Sequence, residues 1–338
     1  MYYKEARNGQ ILEEGITEAG SMSSFIAAGT AYATHGINTI PFFLFYSMFG
    51  FQRVGDLIWA AGDLRCRGFL IGATAGRTTL AGEGLQHQDG NSHLLAYPVP
   101  SVRAYDPAFA YEIAVIVREG IRTMYEKQRD LFYYLTVGDE AYAQPPVPST
   151  DTEDLKRGII RGIYRFQSTE KNTSERVNLL GSGAIMNSVL KAREILLEDY
   201  GIGSDVWSVT SYKALHQDAL EVERWNLRNP EKEERLPFIT EALAGGSRVF
   251  VAVSDYVKAL PESVSKWVPG RLITLGTDGF GRSDSRRALR NFFEVDERHI
   301  VTASLAGLAK EGKIKPEVVR SALERFDIDP DKANPSDS

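Results

Sequence analysis

Short apolar runs alternate with longer mixed stretches through the first part of the chain. The apolar runs cover residues 39–45, 68–73, 101–105 and 131–137, and the longer stretches between them include 53–67 and 108–127. Each apolar run has the length of a strand buried on both faces, and the longer stretches are typical of helices. Strands that alternate with helices predict a parallel sheet with helices on its faces.

The same order returns in the second part of the chain. The predicted strands are 177–180, 205–209, 249–253 and 272–275, and the predicted helices are 184–200, 285–293, 300–310 and 315–326. Between the two parts lies 144–151, which holds three prolines within four residues. Such a stretch can continue neither a helix nor a central strand. We therefore predict two α/β domains, 1–145 and 146–338, each with three layers around a parallel or mixed sheet.

Three local features complete this picture. A helix is expected over 15–33, where an α/β domain usually begins with a strand, so we expect that strand to lie upstream of this sequence. Asp106 and Pro107 are expected to cap a helix beginning at Ala108. The polar tail, 330–338, is expected to be frayed.

Composition excludes several classes of protein. Of 338 residues, 43% are hydrophobic and 25% charged, and the net charge is −6, so nothing marks the chain as a nucleic-acid binder. No N-terminal apolar segment or run of 18 apolar residues occurs, which argues against a signal peptide or a membrane span. The single cysteine, Cys66, excludes an internal disulfide, and we expect a cytoplasmic protein. Cys66 is expected to be an inert helix residue, although arginines flank it.

Two candidate groups lie at predicted element boundaries. Glu18 precedes a helix rich in small residues, and the simpler interpretation is a first-turn carboxylate that complements the helix dipole. Tyr46, Phe49 and Phe51 follow a predicted strand, where open α/β sheets bind ligands. An aromatic ring in that position can stack on a flat heterocycle.

The loop over 76–93 is unusually polar. It contains two histidines, two acids and four glycines. A metal site is one interpretation, but His87 and His93 lie six residues apart and no cysteine supports them. An active-site loop fits better, with His87 as a proton donor or acceptor near neutral pH.

Several of these segments resemble one enzyme family. They are YSMFGFQR (46–53), GFLIG (68–72), GLQHQDGNSH (84–93) and LGTDGFGRSDSR (275–286). Together they resemble the homodimeric E1 component of bacterial pyruvate dehydrogenase, with similarity from about Gln10 to Pro335. The resemblance implies a transketolase-like enzyme that depends on thiamine diphosphate (ThDP). Its expected activity is the decarboxylation of pyruvate and transfer of the acetyl group to the lipoyl domain of the E2 component.

The resemblance also implies roles for individual residues. Glu18 is expected to hydrogen-bond N1′ of the ThDP aminopyrimidine, and it should be partly desolvated so that it can share a proton. Phe49 is expected to stack on that ring, and Tyr46 and Arg53 to bind the cofactor. Glu18, Tyr46, Glu83 and His87 form the expected catalytic set.

The loop departs from the family in two places. Gln88 and Asn91 stand where the family commonly has an acid and a histidine, which bears on the charge of the loop. The turn 278–282 is expected to be structural.

Half of a ThDP site is not found in the sequence. The family holds Mg²⁺ and the diphosphate through a Gly-Asp-Gly motif and an asparagine, and no Gly-Asp-Gly occurs here. We therefore expect Mg²⁺ to be held by a domain outside this chain, no metal ligand within it, and no activity of the chain alone. A homodimer is expected.

Two alternatives remain open. The chain could be a non-catalytic dimerisation or interaction portion. It could also be a transketolase-like enzyme acting on sugar phosphates, which would need clustered basic residues, whereas only Arg53, Arg77 and Arg282 lie near the motifs.

Overall fold

Two separate sheets organise the chain, and the computed structural model describes residues 4–148 and 152–337. The first sheet contains β1 (Phe42–Tyr46), β2 (Phe69–Ala73), β3 (Val102–Tyr105) and β4 (Phe132–Thr136) in the order β1-β2-β4-β3, all parallel. Its helices are α1 (Glu18–Gly29), α2 (Ala31–Thr34), α3 (Phe51–Asp63), α4 (Ser92–Leu95) and α5 (Ala110–Ile121), the last continuing as a π-helix over Arg122–Glu126.

The second sheet has five strands. They are β5 (Ile163–Ser168), β6 (Arg176–Gly181), β7 (Gly203–Val209), β8 (Val249–Val253) and β9 (Arg271–Leu275), in the order β5-β7-β6-β8-β9. Its helices are α6 (Thr152–Arg161), α7 (Met186–Tyr200), α8 (Tyr212–Arg228), α9 (Phe238–Ala242), α10 (Ala259–Glu262), α11 (Arg286–Phe292), α12 (Glu297–Lys310) and α13 (Pro316–Arg325). Only β5 is antiparallel to its neighbour. The sequence patterns did not predict β5, α6 or α8.

The predicted fold class is confirmed: one parallel and one mixed sheet lie between helices. Alternate residues of the first sheet pack on opposite faces. Leu70 and Phe132 lie in one buried cluster with α1 and α3, while Phe69 and Tyr133 lie in another with α5 and α6. The predicted linker is irregular over 144–148, and 149–151 lie outside the described residues. The domain boundaries stay a prediction.

The predicted cap at Asp106 is wrong. Helix α5 begins at Ala110, and Phe109 is its N-cap. The Glu112 carboxylate accepts the backbone N–H of Ala108 at 2.6 Å and of Phe109 at 3.0 Å, so it satisfies the end of the helix. Asp106 is instead buried, and its Oδ1 accepts a hydrogen bond from Thr136 Oγ1 at 2.7 Å.

The expected placement of Cys66 inside a helix is also wrong. Helix α3 ends at Asp63, and Cys66 lies fully buried after it. A Cβ at Gly29 would lie 2.2 Å from Cys66 Sγ, so α1 covers the thiol closely. Burial raises the pKa of Cys66 to about 12, which keeps the thiol protonated.

The described part of the tail, 330–337, is held in place rather than frayed. Lys332 Nζ donates to the carbonyl of Phe292 at 2.6 Å. Pro335 is buried, and its carbonyl lies 2.6 Å from the position of a Cβ on Gly279. Gly279 has φ +98°, a conformation that favours glycine. The tail therefore packs on the turn 278–282. In the part of the chain that the structure describes, no helix is long and apolar enough to cross a membrane.

Candidate active site

Glu18 is the first residue of α1. The Thr17 side chain caps the helix by accepting the N–H of Gly20 at 3.3 Å. The Glu18 carboxylate then points towards α3, where Arg53 Nη1 lies 3.1 Å from both carboxylate oxygens. The Glu18 side chain is 16% exposed and that of Arg53 is 51% exposed. The carboxylate is thus largely shielded from water and its charge is compensated.

Aromatic rings lie beside this ion pair. Strand β1 ends at Tyr46, and a single helical turn over Ser47–Phe49 brings Phe49 to the same edge of the sheet. The Tyr46 and Phe49 ring centroids are 6.2 Å apart. The Arg53 guanidinium lies 4.1 Å from the Phe49 ring centroid, which is cation–π contact. Arg53 therefore bridges Glu18 and Phe49.

The polar loop adds His87 and Glu83. The His87 ring centroid lies 5.7 Å from that of Tyr46 and 5.4 Å from that of Phe49, with an edge-to-face arrangement at Phe49. His87 Nδ1 lies 3.2 Å from Glu83 Oε2. All six residues expected from the sequence therefore form one continuous cluster at the carboxyl end of β1.

The position of Arg53 bears on what the cluster can bind. Its guanidinium is a planar group that donates N–H bonds to Glu18 and lies over the face of Phe49. A planar heterocycle with a ring nitrogen facing Glu18 would need the same two contacts. The Glu18 carboxylate and the face of the Phe49 ring therefore fit an aminopyrimidine, provided that the Arg53 guanidinium is displaced.

His93 and Asp89, by contrast, are buried supports. The Asp89 carboxylate accepts bonds from Ser47 Oγ at 2.7 Å and from the N–H groups of Asn91 and Ser92 at 2.9 Å. These bonds fix the loop to the end of β1. His93 Nε2 lies 2.8 Å from Thr136 Oγ1, and burial lowers the pKa of His93 to about 4. His93 is consequently neutral near pH 7, and its ring lies against Tyr134 and Tyr256.

The loop is also bound to the second unit, the part of the chain that holds the second sheet, whereas the first unit holds the first sheet. Gln88 is fully buried; its Nε2 donates to the carbonyl of Leu80 at 2.7 Å, and its Oε1 accepts the N–H of Arg282 at 2.7 Å. The turn 278–282, expected from the sequence only to be structural, thus contacts the site loop. The departure at Gln88 was the sequence signal for this contact, but its partners could not be predicted because they lie far along the chain.

Two further side chains, Asp255 and Arg77, strengthen the contact between the loop and the second unit. Asp255 accepts the N–H and hydroxyl of Thr78 at 2.8 and 2.7 Å and those of Thr79 at 3.0 and 2.6 Å. Arg77 Nη1 donates to the carbonyls of Thr277 and Gly279. Within residues 4–148 and 152–337, no group of three or more His, Cys, Asp or Glu side chains could hold a metal ion.

Comparison with solved structures identifies the fold. A chain described as "Split gene transketolase, inactive beta4 tetramer" superposes with a TM-score of 0.62 at 16% identity, covering 87% of this chain and 83% of that one. Transketolase from Campylobacter jejuni superposes with a TM-score of 0.61 at 16% identity, covering 83% of this chain and 38% of the other. The chain therefore has a transketolase-like α/β fold.

Sequence comparison identifies the family. Residues 1–145 match the pyruvate dehydrogenase E1 component middle domain, and 162–296 match the transketolase-like C-terminal domain. The chain is 54% identical over 338 residues to the pyruvate dehydrogenase E1 component of Pseudomonas aeruginosa, covering all of this chain and 38% of the relative. It is 50% identical over 336 residues to the pyruvate dehydrogenase E1 component of Escherichia coli K12, covering 99% of this chain and 37% of that relative. The chain belongs to the pyruvate dehydrogenase E1 family and spans somewhat over a third of the length of these relatives.

Proposed function

We propose that this chain forms the aminopyrimidine- and substrate-facing side of a ThDP site in a pyruvate dehydrogenase E1 component. The whole enzyme would decarboxylate pyruvate and pass the acetyl group to the lipoyl domain of E2 in a cytoplasmic multienzyme complex. The observation that supports this most directly is the Glu18–Arg53–Phe49 arrangement, because a planar N–H donor already occupies the carboxylate and the aromatic face together.

Five residues of the cluster have a defined task in this proposal. Glu18 holds the aminopyrimidine through N1′ and shares a proton with it, while Phe49 stacks on the ring. His87, paired with Glu83, moves a proton at the substrate. Tyr46 packs against His87 and narrows the access of water to that side. The bound ThDP supplies an electron sink for the decarboxylation.

Mg²⁺ and the diphosphate would be held by a region outside this chain. The relatives named above are more than twice as long as the chain, which leaves room for such a region. Mg²⁺ prefers a few carboxylate or amide oxygens together with phosphate oxygens. We therefore propose that the isolated chain does not bind ThDP–Mg²⁺ tightly.

A coupled assay tests the proposal. The chain is mixed with pyruvate, ThDP, Mg²⁺, coenzyme A, NAD⁺, E2 and E3, with and without a polypeptide that carries the diphosphate-binding region. We expect NADH only when that polypeptide is present. The absence of NADH in the complemented mixture, under conditions where an intact E1 produces it, would contradict the proposal. Micromolar Mg²⁺-dependent binding of ThDP to the chain alone, measured by calorimetry, would refute the proposal that this chain carries only one side of the ThDP site.

One observation favours an assembly role for the chain alone. Edge strand β1 exposes an apolar face, with Phe42 at 47% and Leu44 at 65% exposure beside Tyr46. A solved split-gene transketolase chain of similar extent is described as an inactive tetramer. We propose that this chain likewise associates without activity, in the simplest case as a homodimer. Light scattering that shows a monomer at micromolar concentration would exclude this.

A further inference from the structure

The second sheet has a crevice at the point where its strand order reverses. Strand β6 is followed by β7 on one side, and β8 is followed by β9 on the other. Open α/β sheets bind ligands in such a crevice, at the carboxyl ends of the strands. The segments that leave β6 and β8 here meet those that leave β2 and β4 of the first sheet.

These segments enclose a cavity of about 160 Å³ between the two units. Gly76, Asp106 and Thr136 line it from the first unit, and Gly183, Asp255 and Tyr256 line it from the second. The exposed residues Ala110 and Gln144 lie at its mouth. The cavity is separate from the Glu18 cluster, because none of the six residues of that cluster lines it.

Two glycines allow acids to approach the backbone at this cavity. Gly183 has φ +51°, and a Cβ there would lie 2.8 Å from Asp106 Oδ2. Gly76 has φ +89°, and a Cβ there would lie 2.3 Å from Asp255 Oδ2. A side chain at either position would displace a carboxylate, so the two glycines and the two acids belong to one arrangement.

The acidic side chains that line the cavity differ in their hydrogen-bond and ion-pair partners. Asp255 accepts four hydrogen bonds from Thr78 and Thr79, and Glu140 is paired with Arg290. Asp106 is only 9% exposed, and its Oδ2 has no hydrogen-bond partner among the described residues. The buried hydroxyl of Tyr256 likewise has none within the described ranges. Buried polar atoms of this kind normally have a partner.

We propose that this cavity binds a small organic cation that carries a primary ammonium group. An ammonium has three N–H donors and a full positive charge, so it would bond to Asp106 Oδ2 and Tyr256 Oη and compensate the buried carboxylate. Its short alkyl part would lie against the apolar wall that Pro107, Val137 and Ala184 provide. This inference does not rest on the proposed decarboxylase function.

The protonation of Asp106 gives the binding a pH dependence. Burial raises the pKa of Asp106 to about 7, and the carboxylates of Asp255 and Asp89 raise it further, while the hydrogen bond from Thr136 and the nearby hydroxyl of Ser182 lower it. An ammonium group binds the ionised carboxylate, so its affinity rises between pH 6 and pH 8. The other charged or titratable groups nearby are Glu140, Arg290, His93 and the tyrosines Tyr134, Tyr142, Tyr212 and Tyr256.

Calorimetry on the full 338-residue chain tests the site, with n-propylammonium as the probe and propionate and potassium as comparisons at equal ionic strength. We expect saturable binding of propylammonium that Asp106→Asn weakens at least tenfold, and no binding of propionate. Ala110→Trp at the mouth should block entry without touching Asp106. Asp56→Asn removes one exposed negative charge elsewhere and should leave the affinity unchanged.

Several results would overturn the proposal. One is that the Asp106→Asn variant binds propylammonium with the affinity of the parent, and another is that potassium binds as well as propylammonium. A third is that propylammonium shows no saturable binding at pH 8, which would mean that the cavity holds only water. Thermal melting of each variant checks that the fold is retained. Asp106→Asn keeps an acceptor for Thr136, so we expect it to fold.

Discussion

Arg53 makes two contacts that a bound cofactor ring would also need. Its guanidinium is bonded to Glu18 and lies over Phe49. Because a shielded carboxylate without a partner is costly, the ion pair stabilises the cluster when no ligand is present. A ring that binds here as proposed would have to displace the guanidinium, whose side chain is 51% exposed.

Glu18→Gln tests the carboxyl itself. In the complemented enzyme we expect kcat to fall by roughly 10²–10⁴, because the amide cannot exchange a proton with the cofactor. The measurement is NADH formation in the coupled assay at saturating ThDP. Glu194→Gln, an exposed change on α7, is the control and should leave the rate unaltered. An unchanged rate in Glu18→Gln would remove Glu18 from the catalytic set.

Gln88 is suited to its place because an amide donates and accepts at once. In Gln88→Glu, the ionised carboxylate cannot donate to Leu80, and burial raises the pKa of a carboxyl. We expect stability near that of the parent below about pH 4 and a loss of about 1–3 kcal/mol at pH 7. The loss appears as pH rises because the unfolded chain ionises first.

The matched variant for this position is Gln88→Met, which removes both hydrogen bonds at every pH. Urea unfolding at pH 4 and pH 7 should show a similar loss at both values for this variant. A loss in Gln88→Glu that does not change with pH would show that the amide donor is unimportant. NMR signals of His87 should move in both variants at pH 7, because His87 precedes Gln88 in the loop.

At the level of secondary-structure elements, the site loop depends on parts of the chain far from it. The turn 278–282 contacts the loop through Gln88 and Arg77. The tail then packs on the same turn through Pro335 and Gly279. These contacts form a path from the tail to the turn, then to the loop and His87. Substitutions that disturb the tail should therefore alter the position of His87 in the candidate site.

Gly279→Ala tests this path. The added methyl would lie 2.6 Å from the Pro335 carbonyl, and φ at this position is +98°, so we expect a loss of about 1–3 kcal/mol in unfolding free energy. Gly55→Ala is the matched control: Gly55 lies in α3 with open space around its Cβ, and we expect a gain of about 0.5–1 kcal/mol. Equal effects of the two substitutions would show that the tail contact is weak. Chemical denaturation measures both.

In the molecule as a whole, buried polar groups join the two units. Lys213 of α8 is 2% exposed, and its Nζ donates to the carbonyls of Ala96 and Val99 at 2.6 and 2.7 Å. Glu112 of α5 accepts hydroxyl bonds from Tyr164 at 2.7 Å and Ser208 at 2.6 Å across the same interface. The units are therefore fixed to each other by specific hydrogen bonds as well as by apolar packing.

Lys213 predicts a pH dependence of stability. Burial, with a smaller effect of the Arg103 charge, lowers the pKa of Lys213 to about 7, against about 10.4 in an unfolded chain. Between these values the unfolded state binds more protons, so the unfolding free energy rises with pH from about 7 to about 10. In Lys213→Met this contribution is absent. The stability difference between parent and variant, measured by urea unfolding, should therefore widen with pH, and a constant difference would contradict the assignment.

The local hydrophobic pattern was sufficient to predict most strands and helices, because their periodicity depends on neighbouring residues. Strand β8 has the predicted bounds, 249–253, and β4 lies within its predicted run. Strand β5 was not predicted, because its polar alternation is typical of an edge and its partner β7 lies about forty residues away. That Glu18, Phe49 and His87 would form one site was expected only from the family resemblance. The residues alone had indicated Phe49 by its position after a strand and His87 by its polar loop.

The sequence by itself determined the α/β class, the two sheets and the membership of one enzyme family, since periodicity and motifs are local properties. Only the tertiary structure decided how side chains distant in sequence are partnered. Asp106 has the local pattern of a helix cap but lies in an interdomain cavity, because Glu112 already satisfies the start of α5. The tail has the composition of a frayed end but packs on Gly279. Burial and hydrogen-bond partners arise from the folded chain and cannot be derived from spacing.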